Sequence, residues 1–173
     1  MKNNIFKLLR YDLPLHFILF LTNWLPDLII FIRFRGYLAH FFFKHCGKDL
    51  RLGRNITFYN PSNIYLGEHI YIAYGNWFSA GSQIQIDNEV LIGPYNVFTS
   101  SSHTKVGNSF RYGKPKRGDI HIKSGSWITS HCTITMGVTI GKGCLVAANS
   151  TVISDIQDRS LAGGSPAVKI KDL

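Results

Sequence analysis

The sequence predicts an all-β main domain built as a parallel β-helix. One loop is extruded from it, and an apolar helical segment precedes it. Three observations predict this. Ile122, Ile128, Ile134, Ile140, Val146 and Val152 recur every six residues. Four residues after each comes a smaller or β-branched residue: Ser126, Cys132, Val138, Cys144 and Ser150, then the bulkier Ile156. Residues 1–47 lack this pattern and are densely apolar. A period of six is neither helical nor a plain alternation. Each six supplies one short strand and one turn, and three sixes close a triangular coil. The aliphatic residue points inward onto its equivalents in neighbouring coils. No coil buries its apolar edge alone, so stability comes from stacking. The competing reading is an ordinary strand-rich domain whose aliphatics fall on a six by accident, and the long run in phase argues against it.

A chain of 173 residues accommodates one main domain and one appendage. Its 16 glycines suit a turn-rich solenoid. Cys46, Cys132 and Cys144 lack zinc or redox spacing, and Cys132 and Cys144 fall in the small-residue slot of the repeat. No metal site is expected. The net charge of +9 is uneven. Residues 1–54 hold nine Lys or Arg against three Asp, and residues 105–123 hold six against one. Such a surface attracts nucleic acid, acidic lipids or phosphorylated ligands. No nucleic-acid motif accompanies it, so the lipid and phosphate readings are preferred.

The chain divides into a segment over 1–47 and a β-helix domain over 48–173. Residues 13–34 are apolar but broken by Pro26 and Asp27, leaving no run of the roughly 20 residues a spanning helix needs. Asn23-Trp24-Leu25-Pro26-Asp27 reads as a turn between two short helices, the second continuing past Gly36. A signal peptide would open on a similar basic stretch, but no small-x-small cleavage site follows. These helices either pack on the β-helix and on neighbouring subunits or lie in the headgroup layer of an acidic membrane. In the membrane reading Arg10, Arg33, Arg35 and Lys44 stand at the rim. The solenoid begins near Leu50. A two-residue slip between Ile84 and Ile86 implies a bulge or longer turn at one corner. After Phe98 the repeat stops, to resume at Ile120 or Ile122. The interruption over 104–119 carries Lys105, Arg111, Lys114, Lys116 and Arg117 among glycines, and reads as an extruded loop. Beyond Val152 the chain leaves the repeat, and residues 161–167 form a tight terminal turn.

Residues from about 50 to 171 resemble the hexapeptide-repeat acyltransferases, whose fold is a left-handed parallel β-helix. Within them the chain is similar to the galactoside, maltose and xenobiotic acetyltransferase branch. His103 at the break, Trp127-Ile128 that follow 24 residues later, Gly137-Val138-Thr139-Ile140-Gly141 and Gly164-Ser165-Pro166-Ala167 carry the resemblance. The N-terminal segment resembles a subset that modifies bacterial surface polysaccharides. The resemblance implies a homotrimer with acetyl-CoA held between adjacent β-helices. It also implies His103 as general base, and Trp127, Ser130, Ala147 and Ala148 along the cofactor. Thr129, Asn149 and Val168 depart from the family pattern. With Val168 in a usually basic position, Lys169 or Lys171 must serve the cofactor phosphates. Tyr74 and Asn76 resemble an acceptor-holding element, although the spacing to His103 is shorter here. Arg111 in the loop is a further acceptor contact.

The chemistry is sound from first principles. A sugar hydroxyl is too weakly acidic to attack a thioester unaided at neutral pH. A neutral imidazole can accept its proton as the bond forms, and the oxyanion that develops needs donors placed in advance. The expected activity is therefore O-acetylation of a sugar hydroxyl on a polysaccharide or its lipid-linked precursor, in the cytoplasm at the inner face of the membrane. Amino-sugar N-acetylation is a near variant. A metal-dependent lyase would need three converging histidines, for which His103, His121 and His131 are wrongly spaced. A non-catalytic scaffold would not need His103 beside its loop.

Overall fold

A computed structural model describes residues 2–173, with side chains from residue 5 onward. Met1 of the predicted N-terminal segment, and the side chains of residues 2–4, lie outside the described residues.

The main body is a three-faced parallel β-helix. Face 1 stacks His45–Cys46, Ile64–Leu66, Ile84–Ile86, Ile120–Ile122 and Thr139–Ile140. Face 2 stacks Arg51–Leu52, Tyr71–Ile72, Leu91–Ile92, Trp127–Ile128, Leu145–Val146 and Ser160–Gly164. Face 3 stacks Thr57–Tyr59, Trp77–Ser79, Val97–Thr99, Thr133–Thr135 and Thr151–Val152. The register puts Ile122 on Ile140, Ile128 on Val146 and Ile134 on Val152, and all six are sealed from solvent. The small-slot residues Ser126, Cys132, Val138, Cys144 and Ser150 are also buried, with Ile156 beside them. Their hydroxyls and thiols serve the turns: Ser126 Oγ donates to the Gly141 carbonyl at 2.7 Å and accepts from Cys144 N–H at 3.0 Å.

The slip between Ile84 and Ile86 is not a bulge or a longer turn. The second, third and fourth face 1 strands are each three residues long with both ends pointing in, so Ile64 and Leu66, Ile84 and Ile86, and Ile120 and Ile122 are all buried. The first coils therefore run 20 residues, from Phe58 to Phe78 to Phe98, while the later one from Ile134 to Val152 runs 18. The wider coils house a column of phenylalanines. Phe58 and Phe78 stack at 4.9 Å, and Phe78 and Phe98 at 4.6 Å.

Both ends of the solenoid differ from expectation. Parallel pairing starts at His45–Cys46, ahead of Leu50. At the other end the repeat does not stop at Val152. Ile156 bridges to Ile140, and Leu161 and Ala162 pair with Leu145 and Val146. The strand Ala167–Asp172 then folds back antiparallel on Ser160–Gly164. Small inward residues let this last, narrower turn continue the stack before the hairpin closes it.

Ahead of the β-helix lie α1 (Lys2–Lys7), a five-residue π-helical turn (Leu8–Asp12), α2 (Leu13–Thr22) and α3 (Ile29–Ala39). Among the described residues no helix is long and apolar enough to cross a membrane. Leu15 and Leu19 of α2 and Ile32 and Ala39 of α3 face inward. Gly36 allows α3 to lie directly on the first coil, since a Cβ there would run into the Leu50 carbonyl. Arg35 is not a rim cation. It is fully buried and ties three segments together: Nη1 donates to the Leu52 carbonyl at 2.5 Å and to Asp27 at 3.2 Å, and Nη2 to the Thr22 and Leu25 carbonyls at 3.1 Å each. Burial pulls the guanidinium below its usual pKa, and Asp27 pulls it back up.

Asp49 links α3 to the first coil. Arg51 binds its carboxylate through two nitrogens at 3.0 and 2.7 Å, and His69 approaches at 3.1 Å. The Arg51 hydrogen bonds, with smaller help from His69 and Arg33, hold the Asp49 carboxyl down to about 2. Its stabilising contribution is therefore present above the unfolded carboxylate pKa of about 3.9 and lost as pH falls through about 2. With solvent screening of this partly exposed pair, Asp49→Asn should cost about 1–2 kcal/mol at pH 7. Thermal melts should show a deficit of roughly 2–6 °C that closes between pH 4 and 2. A deficit independent of pH would contradict this account.

Candidate active site

His103 follows the face 3 strand Val97–Thr99, at the corner leading into face 1. Here the coil opens into a β-ribbon. Ser101–Ser102 pairs antiparallel with Lys116–Arg117, and Val106 bridges Ser109 near the tip. The ribbon's base is tied down. Gly118 N–H donates to the Ser100 carbonyl at 3.1 Å. Asp119 accepts from Ser82 Oγ at 2.5 Å and Gln83 N–H at 3.0 Å. With Asp119 so committed, Lys105, Arg111, Lys114, Lys116 and Arg117 form no ion pair among the described residues. His103 is exposed beside them, its carbonyl accepting from Ser102 Oγ at 3.4 Å.

The other predicted residues gather elsewhere. Ser130, Ala147 and Ala148 lie on the corner between faces 2 and 3, where Asn149 N–H donates to the Ser130 carbonyl at 3.0 Å. Asn149 adopts φ +59°, the left-handed conformation that makes Asn a workable substitute for Gly there. Trp127 projects outward from face 2, half-exposed between Leu91 and Leu145. Lys169 and Lys171 sit on the terminal strand, and Lys169 pairs with Asp172 at 2.6 Å. Ser130, at the corner with face 2, and His103, at the corner with face 1, stand at opposite edges of face 3.

Tyr74 is on the same corner as Ser130. Its hydroxyl meets Asn55 Nδ2, Arg54 lies 5.7 Å from its ring, and Tyr95 packs edge-on at 5.3 Å. Asn76 lies inside this corner. It is 1% exposed and fully engaged inside the corner. Its Nδ2 donates to the Ala73 carbonyl at 2.6 Å and the Gly93 carbonyl at 2.9 Å, and its Oδ1 accepts from Asn96 N–H at 2.9 Å. Asn96 repeats the role one coil on, with Oδ1 accepting from Cys132 N–H at 2.7 Å. The equivalent positions in Gly75-Asn76 and Tyr95-Asn96, one 20-residue coil apart, were the available signal for this ladder. His121 and His131 are also placed. His121 Nε2 bonds Asp87 at 3.0 Å on face 1, and His131 stacks on Tyr95 at 5.1 Å. Among the described residues no group of three metal-ligating side chains converges.

No protein-family model matches the chain. A Staphylococcus aureus (strain COL) protein, provisionally named an acetyltransferase, is 36% identical over 111 residues, or 64% of this chain and 56% of its own length. The chain thus spans about half the length of the first curated relatives it matches. The galactoside O-acetyltransferase of Escherichia coli K12 is 28% identical over 131 residues, covering 76% of this chain and 64% of the relative. The solved hexapeptide-repeat acetyltransferase of Vibrio cholerae, complexed with acetyl coenzyme A, superposes with a TM-score of 0.81. It is 28% identical across 92% of this chain and 85% of its own.

The chain is similar to hexapeptide-repeat acetyltransferases and shares their fold. Within the β-helix, the ribbon interrupts the stack without disturbing it. Ile84, Gln85 and Ile86 before the break pair in register with Ile120, His121 and Ile122 after it. The hexapeptide-repeat body is therefore a rigid mount for His103, and its corners present a second set of residues across face 3.

Proposed function

We propose that the protein transfers an acetyl group from acetyl-CoA to a sugar hydroxyl of a bacterial polysaccharide or its lipid-linked precursor. The observation that carries this reading is the exposed imidazole of His103 at the foot of an uncompensated cationic ribbon, in a family fold. In the reaction His103 takes the hydroxyl proton as the sugar oxygen attacks the thioester carbonyl. A C–O bond forms, and the carbonyl electron pair moves to oxygen. The Ser130 hydroxyl or a neighbouring N–H donates to that oxyanion. Collapse breaks the C–S bond, and the imidazolium returns the proton to the departing CoA sulfur. Trp127, Ala147 and Ala148 flank the cofactor, Lys169 and Lys171 serve its phosphates, and Tyr74 and Arg111 meet the acceptor. The test is mass spectrometry of candidate glycans incubated with enzyme and acetyl-CoA. Addition of one acetyl group with matching CoA release is expected, and no release with any glycan would count against the reading.

His103 and Ser130 of one chain stand at opposite edges of face 3, whereas a base and an oxyanion donor must each come within about 3 Å of its atom. A homotrimer resolves this by bringing one chain's His103 to another's Trp127 and Ser130. Half-exposed Leu91 and Trp127 on face 2 and Tyr59, Trp77 and Val97 on face 3 supply apolar surface for such packing. Light scattering at micromolar concentration should report about three chains, and a fully active stable monomer would overturn the arrangement. The N-terminal helices then rest peripherally on the inner face of the cytoplasmic membrane. In support, α2 is apolar on both sides: Leu15 and Leu19 are buried, while Leu13, Phe17 and Phe20 are exposed.

A further inference from the structure

A cleft of about 700 Å³ lies between α3 and the first coil, on the side of the molecule away from His103's ribbon in the chain's stacking order. Arg33, Tyr37 and His40 line it from the helix side, and Cys46, Lys48 and Asp49 from the coil. Its chemistry is cationic. Asp49 is already neutralised by Arg51 at 2.7 Å, which leaves Arg33 only a loose approach at 3.8 Å. Arg33 is mostly exposed, and so is Lys48, which meets Glu68 at 3.3 Å. Around the cleft three cations, Arg33, Lys48 and Arg51, face two carboxylates. His40 Nδ1 is bonded to the Tyr37 carbonyl at 2.7 Å, which leaves Nε2 for a ligand. Burial pushes the Cys46 thiol up to about 12, so that wall adds no negative charge.

The second observation is an apolar stripe that shares a residue with the cleft. Ile30, Phe34, Tyr37 and Phe41 recur at helical spacing along α3 and the turn after it, and all four are exposed. Tyr37 belongs to both stripe and cleft. A cationic hollow beside an apolar ridge fits a molecule with an anionic head and a hydrocarbon chain.

Building on the membrane contact proposed above, we infer that this cleft binds the phosphate headgroup of an acidic glycerophospholipid, whose acyl chains lie along the Ile30–Phe41 stripe. The cations select the head, and the stripe supplies insertion. The cleft sets the lipid preference, and the stripe sets binding as such.

The experiment is flotation of the full-length protein with vesicles of pure phosphatidylcholine or of phosphatidylcholine with phosphatidylglycerol. Wild type should float with both and favour the acidic vesicles. Arg33→Ala/Lys48→Ala removes two surface cations without touching the core. It should lose roughly thirtyfold in partition to acidic vesicles, at about a factor of five per cation, and little to neutral ones. Lys123→Ala/Lys142→Ala, an equal charge change on later coils, should retain the acidic preference. Ile30→Ser/Phe34→Ser should lose binding to both vesicles. If the cleft variant keeps the wild-type acidic preference, or both lysine-removing variants lose it equally, the headgroup site is wrong while the membrane reading stands. If wild type floats with neither vesicle, the membrane reading itself fails and the inference with it. If the stripe variant floats normally but changes mass by light scattering, the stripe is a subunit contact and the inference is overturned. A soluble control separates the phosphate sources. Glycerol 1-phosphate at millimolar concentration should raise the melting temperature far less than short-chain phosphatidylglycerol does, and the reverse order would mean a site for free phosphate esters.

Discussion

His103→Ala is expected to lose on the order of 10²–10⁴ in kcat/KM, the usual worth of a positioned base, while keeping its assembly and its affinity for CoA. His103 sits exposed beyond the end of a face 3 strand, outside the stacked aliphatic column, so melts of the variant should barely move. His103→Asn should recover little, because an amide cannot take up the proton. Single-turnover kinetics together with a CoA titration distinguish loss of chemistry from loss of binding. Near-wild-type turnover in a folded His103→Ala protein would remove the residue from the mechanism.

The largest stability effect is expected at Arg35. Its side chain is sealed from solvent and serves the Thr22, Leu25 and Leu52 carbonyls and the Asp27 carboxylate. Arg35→Ala strips all four of a donor and opens a cavity. Breaking a buried, hydrogen-bonded charge pair costs about 3–5 kcal/mol. In a chain of this size that lowers the melting temperature by roughly 10 °C. Arg35→Lys should recover little, because one ammonium cannot span both the helix turn and the first coil. Limited proteolysis should cut the variant first around Asn23–Leu28, where the turn loses its anchor. A shift under 1 °C with unchanged cleavage would mean that the guanidinium holds nothing together.

The sequence and the structure agree where one slot admits one kind of side chain. The inward position of every coil is buried on all sides, so Ile122 through Val152 had to be aliphatic, and their period could be read directly. The three-residue face 1 strand was misread as a bulge because inward residues two apart, such as Ile84 and Ile86, break a strict six without breaking the wall. Arg35 was misplaced at a rim because its partners come from two separate segments, residues 22–27 and Leu52, and no local pattern records a carbonyl contributed by Leu52. The burial of Asn76 was hidden for a related reason: its amide oxygen is engaged by Asn96, a full coil away. The placing of His103 and Ser130 at opposite edges of face 3 was not legible, because it depends on how the coil folds round.

The in-register pairing of Gln85 with His121 across the ribbon has an evolutionary consequence. The insertion leaves and re-enters the solenoid at one corner, so the coils beneath it close as though nothing had been spliced in. Residues 104–117 are then free to drift, lengthen or be exchanged between lineages with little penalty to folding. A lineage could rewrite that segment alone, on an inherited body that keeps His103 in place.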